Sequence, residues 1–127
     1  MIVIDASAAV SGLLHDGRAR RLLAEERVHA PHLIDSEVAS ALRRKVSAGQ
    51  LVADVGSTVL QVWQRLGVTR HPTVAMLGRL WELRENVSAY DASYVALAEA
   101  LDCPLVTADG RLARAPGLRC PITVVPN

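Results

Sequence analysis

The chain has 127 residues, half of them hydrophobic, and its 14 basic and 13 acidic side chains leave a net charge of +1. That length suits one domain over residues 1–127 with a core that needs no staples. The charge balance excludes a disordered chain and argues against a protein that coats nucleic acid by bulk charge.

Ile2 to Ile4 is a short β-branched run that reads as a buried strand ended by Asp5. Ala6 to Leu14 then reads as a helix stopped by Asp16-Gly17, and Arg18 to Glu26 as a second helix with Leu22 and Leu23 inward. Val28 to Ala30 is a second strand closed by Pro31, and His29 to His32 is expected to be a solvated turn. Val38, Ala41, Leu42 and Val46 recur at helical spacing within Asp35 to Ala48, with Gly49 where a C-terminal cap would stand. Leu51 to Leu66 carries a valine stripe, and Val74, Leu77, Leu80 and Leu83 mark another helix before Asn86. Ser88 opens a helix to Leu101, Leu105 to Thr107 is a third strand, a short helix follows Asp109, and Ile122 to Val125 is the last strand. Strands alternating with helices predict an α/β fold, a doubly wound and mostly parallel sheet with helices on both faces.

The core has to be built from Ala, Val and Leu, because Phe is absent and Trp and Tyr number two each. Cys103 and Cys120 are too few for a disulfide framework and read as small apolar residues near strands. No stretch approaches the ~18 apolar residues of a membrane span. The segment Met1 to Asp5 lacks the basic start of a signal peptide, so a cytoplasmic protein is expected.

In open α/β sheets ligands bind beyond the carboxyl ends of the strands. Asp5 and Asp109 stand at two such ends, although each also suits the N-cap of the helix that follows it. Asp91 shares a helix face with Tyr94, Val95 and Ala98, where a lone carboxylate is costly unless paired, hydrogen-bonded or bound to metal. Its bland alternative is a capping box with Ser88. Glu37 lies in the first turn of its helix at the core edge, and Asp35 is taken as the cap of that helix. Four acids brought together would repel one another unless they bound cations or held protons. All-oxygen ligands favour Mg²⁺ or Mn²⁺. His15, His29, His32 and His71 fit no strong zinc pattern.

Val3-Ile4-Asp5-Ala6-Ser7, Ser36-Glu37-Val38, Tyr90-Asp91-Ala92 and Leu105-Val106-Thr107-Ala108-Asp109 together resemble a PIN domain. The length and the segment Ser88 to Leu112 are similar to the VapC toxins of bacterial toxin–antitoxin pairs. The resemblance spans the chain and implies an α/β/α sandwich and a Mg²⁺- or Mn²⁺-dependent endoribonuclease. It implies an acidic metal site of Asp5, Glu37, Asp91 and Asp109, with the Ser7 and Thr107 hydroxyls nearby. It further implies in-line attack by water on structured RNA such as tRNA or ribosomal RNA, giving 5′-phosphate and 3′-hydroxyl ends. A homodimer and a small cognate antitoxin belong to the same implication.

So few aromatics exclude base-stacking RNA modules, so RNA would be held by its backbone. Arg18, Arg20, Arg21, Arg43, Arg44, Arg111 and Arg114 are the candidate contacts, set against solvated helix faces. Leu22, Leu23, Trp63 and Trp81 are candidate partner surfaces set against the core. A phosphoacceptor receiver domain would need an acid pair after the first strand and a lysine after a late one. Asp5 stands alone, and the only lysine, Lys45, lies in a helix. A PIN-like module that binds RNA or protein without cutting is the alternative function.

Overall fold

The run Ile2–Ile4 forms β1, buried at every residue, and lies at the centre of a five-stranded sheet in the computed structural model, which describes residues 1–127. The other strands are β2 (Val28–Pro31), β3 (Thr69–His71), β4 (Leu105–Thr107) and β5 (Ile122–Val124). Their order is β3-β2-β1-β4-β5, and every neighbouring pair is parallel. Parallel neighbours need crossover connections, which the helices supply. These are α1 (Ala6–Leu14), α2 (Arg18–Glu25), α3 (Leu33–Ser47), α4 (Ala53–Arg65), α5 (Leu77–Glu82), α6 (Ala89–Leu101) and α7 (Gly110–Ala113).

From β1 the chain steps outward through β2 to β3, then returns to the other side of β1 for β4 and β5. The direction of winding therefore switches between β1 and β4, where a crevice opens at the carboxyl ends of the strands. Asp5 and Asp109 follow those two strands. Helices α1, α2, α3 and α4 pack together, while α6 lies against β1, β2 and β4 with α5 beside it. The sheet thus carries helices on both faces, the expected α/β/α sandwich. The α1–α2 approach is close because Gly12 has no side chain: a Cβ there would stand 2.6 Å from Leu23 Cδ1.

The core is mainly aliphatic, with Trp63 and Tyr94 its only aromatic members, and Leu22 and Leu23 pack half-buried against it. Trp63 is therefore core, whereas Trp81 is 69% exposed and lies under the Arg84 guanidinium. Cys103 is buried, Cys120 is half-buried, and both are free thiols. No helix is long and apolar enough to cross a membrane.

Several expectations need correction. Strand β3, Thr-Arg-His, has no apolar run, and it forms because β2 offers it a parallel edge from His29 to Pro31. Those same residues are strand rather than solvated turn, and His29 Nδ1 lies 2.8 Å from His71 Nε2 across the β2–β3 pair. Pro31 is tolerated as the last residue of β2, beyond the part paired with β1. The segment expected as one helix from Val74 to Leu83 begins as a 3₁₀ turn over Val74–Met76 before α5. Helix α6 ends at Asp102, a left-handed residue, with the Cys103 N–H donating back to the Ala98 carbonyl.

Candidate active site

Asp5 is fixed from both strand ends. Its N–H donates to the Val106 carbonyl at 3.0 Å, which ties the end of β1 to β4. Its Oδ1 accepts from the Ala8 N–H at 3.0 Å, capping α1, and from Ser7 Oγ at 2.7 Å. Oδ2 accepts from Thr107 Oγ1 at 2.5 Å. The two hydroxyls are themselves anchored, since Ser7 Oγ accepts the Ala108 N–H at 2.9 Å and Thr107 Oγ1 accepts the Asp109 N–H at 3.0 Å. Capping and site geometry are thus served by one carboxylate. Burial, at 7% exposure with no cation paired to it, raises the Asp5 carboxyl above its usual range, against the pull of those hydrogen bonds.

Glu37 projects from α3 and accepts the Tyr94 hydroxyl on Oε1 at 2.5 Å. Burial raises its carboxyl, the Tyr94 hydroxyl opposes the rise, the charges of Asp91 and Asp5 add to it, and the more distant Arg44 charge opposes it slightly. Tyr94 is 1% exposed, and its own hydroxyl is pushed far above the usual range by burial and by Glu37. In the sequence, Tyr94 stands only in an apolar stripe. The signal that marks it is a tyrosine three residues from an inward-facing acid, because a buried phenol needs a polar partner.

Asp91 sits in the first turn of α6, where its N–H donates to Ser88 Oγ at 3.1 Å. The backbone half of the capping box forms, and the Asp91 carboxylate, within reach of the Ser88 hydroxyl, also lines the cleft. Burial and the nearby Asp109 raise its carboxyl. Asp109 differs from the other three. It caps α7 by accepting the Arg111 N–H at 3.0 Å, and the Arg111 guanidinium forks onto its two oxygens at 3.2 Å each. Arg111 holds the Asp109 carboxyl below its usual range.

Asp5, Glu37, Asp91 and Asp109 line one cleft of about 260 Å³, together with Ser7, Ser40, Arg44 and Tyr94. No histidine lines it. No three carboxylates stand at the spacing that would hold an ion between them without adjustment.

Asp35 is not the cap of α3. It is the third residue of that helix, and it accepts Arg70 Nε on Oδ2 and both Arg70 Nη2 and Trp63 Nε1 on Oδ1, each at 2.8 Å. The Arg70 guanidinium holds its carboxyl below the usual range.

A model of the PIN domain matches residues 2–118. Ribonuclease VapC9 of Mycobacterium tuberculosis is 61% identical over 127 residues, covering the whole of both chains. Ribonuclease VapC1 of the same organism is 44% identical over 128 residues, covering 97% of this chain and 96% of that one. The crystal structure of Mycobacterium tuberculosis VapC20, described as a sarcin–ricin loop cleaving toxin, superposes with a TM-score of 0.67 at 20% identity. That match covers 94% of this chain and 97% of the other, and it is a likeness of fold. The chain belongs to the PIN domain family. Within that family its relatives place it in the VapC branch.

Proposed function

We propose that this chain, acting as one PIN domain over residues 1–127, is a divalent-metal-dependent endoribonuclease and the toxin of a toxin–antitoxin pair. The observation that carries this reading is the convergence of Asp5, Glu37, Asp91 and Asp109 on one cleft, with the first three unpaired by any cation and their protons held more tightly than usual. The relation to proteins named ribonucleases supports it.

The residues fit a hard divalent cation. Their donors are all carboxylate oxygens, the set that suits Mg²⁺ or Mn²⁺. A ready-made cage is not required, because Mg²⁺ keeps several waters and binds through one or two carboxylates and the substrate phosphate. Asp5, Glu37, Asp91 and Asp109 would hold it. When bound, such an ion stabilises charge on the phosphoryl and leaving oxygens and lowers the pKa of the attacking water.

The chain's own groups set the geometry around that chemistry. Ser7 and Thr107 lock both oxygens of Asp5 in place. Tyr94 holds Oε1 of Glu37, and Oε2, which has no hydrogen-bond partner in the protein, is left free to help hold the ion. The wider reading follows from membership of the VapC branch: structured RNA such as tRNA or ribosomal RNA as substrate, arrest of translation, a homodimer, a small antitoxin and a cytoplasmic site of action.

The test uses the purified chain freed of antitoxin. RNA cleavage with Mg²⁺ or Mn²⁺ that stops in EDTA is expected, with a quadruple variant of the four acids as the contamination control. Cleavage undiminished in EDTA overturns the metal mechanism. A folded, Mn²⁺-loaded chain that binds RNA but never cuts it supports the non-cleaving module instead.

A further inference from the structure

A phosphodiester strand approaching this cleft meets four carboxylates, whose charge exceeds that of one divalent ion, so a cation of the protein beside them would help to attract it. Arg44 is the only cation that lines the same cleft. Glu37, Ser40, Ala41 and Arg44 all line it from α3, at the spacing i, i+3, i+4 and i+7 that keeps them on one helix face. Long side chains in a helix lean toward its N-terminus, which directs Arg44 back toward Ser40 and Glu37. Accordingly, Arg44 Nη1 donates to Ser40 Oγ at 2.9 Å.

That contact is its only side-chain hydrogen bond, and Arg44 forms no ion pair with any carboxylate. A guanidinium carries five N–H donors in a fixed fork, so the remainder are free for an anion. Arg111 has its fork committed to Asp109, and Arg114, whose charge also acts on Asp109, does not line the cleft. Arg43 is adjacent in sequence and also exposed, but it does not line the cleft.

We propose that Arg44, steadied by Ser40, receives a backbone phosphate of the RNA and holds the strand against the acidic cleft. It is a substrate-positioning contact that reads charge and not base, and it rests on the ribonuclease reading above.

The experiment compares Arg44→Gln with Arg43→Gln, two changes of equal charge on adjacent positions of α3. Binding of fluorescent tRNA is measured in EDTA across a KCl series, with both changes placed in an Asp91→Asn background so that no strand is cut. Arg44→Gln is expected to weaken binding five- to tenfold, and to reduce the slope of log affinity against log salt by about 0.7 to 0.9, one phosphate contact. Arg43→Gln is expected to shift either quantity far less. Arg44→Lys keeps the charge without the fork, so it should retain the slope and recover part of the affinity. In the otherwise unchanged protein with Mn²⁺, Arg44→Gln should raise KM severalfold with little change in kcat.

Equal effects of Arg44→Gln and Arg43→Gln on affinity and slope overturn the proposal. So does unaltered RNA binding by Arg44→Gln, the result expected if the arginine serves an acidic segment of a protein partner. Failure of the parent chain to cut RNA with Mn²⁺ would instead strike the ribonuclease reading. The two failures are therefore separable. Melting temperatures of the variants check that the exposed site has been changed without loss of fold.

Discussion

Asp35 and Glu37 stand two residues apart on α3, and their surroundings are opposite. Asp35 receives a two-pronged guanidinium and an indole N–H, and its carboxyl is held below the usual range. Glu37 receives one phenol, faces the charges of Asp91 and Asp5, and its carboxyl is raised. The first acid has its countercharge built into the chain, so it fastens α3 to β3 through Arg70 and to α4 through Trp63. The second lacks a paired countercharge, and so do Asp5 and Asp91. An acid satisfied by the chain is structural; an acid cluster left short of cations is suited to recruit one from solution.

The largest effect that would break this contrast belongs to Asp91→Asn. Ribonuclease activity should fall by about a hundredfold or more if Asp91 is one of the residues that hold the ion. Without metal the variant should be as stable as the parent or more stable, by up to about 1 kcal/mol, because self-repulsion falls. Excess metal stabilises a folded binder by about 2.7 kcal/mol at a hundredfold excess over its dissociation constant. That increment should shrink sharply in the variant. Melting curves in EDTA and in excess Mn²⁺ decide it, and an unchanged metal-induced shift removes Asp91 from the ligand set.

Tyr94→Phe comes next. Loss of a group that orients a ligand costs about 10- to 100-fold in metal affinity or activity, and the low end is expected for a single phenol. The measurement is a Mn²⁺ titration of cleavage rate. Identical half-saturation in parent and variant would leave Tyr94 a packing residue only.

Asp35→Asn should do the reverse of Asp91→Asn. Stability is expected to fall by about 1 kcal/mol, discounted because the pair is partly open to solvent. Activity per folded molecule should be retained. Activity lost in proportion to that of Asp91→Asn would merge the two regions that the comparison separates.

The pH dependence sharpens the same point. Carboxyls raised in the folded protein bind protons more tightly there than in the unfolded chain. The metal-free protein therefore loses stability as pH rises from about 4 through their folded values. Asp35 has the opposite sign: its contribution is full above about pH 4 and is lost as pH falls through its depressed folded value. In EDTA, the advantage of Asp91→Asn over the parent should widen from pH 4 toward 7. The deficit of Asp35→Asn should close below pH 4. Melting temperatures across that range measure both, and parallel curves for all three proteins would abolish the distinction.

The smallest expected effect lies outside both regions. Asp102 ends α6 in a left-handed conformation that glycine adopts freely. Asp102→Gly should raise stability by a few tenths of a kcal/mol, partly offset by the entropy glycine adds to the unfolded chain, and leave activity unchanged.

Local sequence was enough wherever neighbours along the chain carry the cause. Ile2 to Ile4 and Leu105-Val106 are apolar runs that announce buried strands, each with an acid within three residues of its end. Helix α6 is legible in its cap Ser88, and Asp91 in its place on an apolar stripe, since helical period alone decides which face turns inward. The sequence could not reveal β3, because a polar edge strand exists only through the partner that pairs with it. Nor could it separate Asp35 from Glu37. Two acids in one helical turn look alike until the fold brings Trp63 from 28 residues away, Arg70 from 35 and Tyr94 from 57. Periodicity sets burial, but the partner of a charge depends on which crossovers the sheet makes, and only the tertiary structure decided that a guanidinium reaches one acid and a phenol the other.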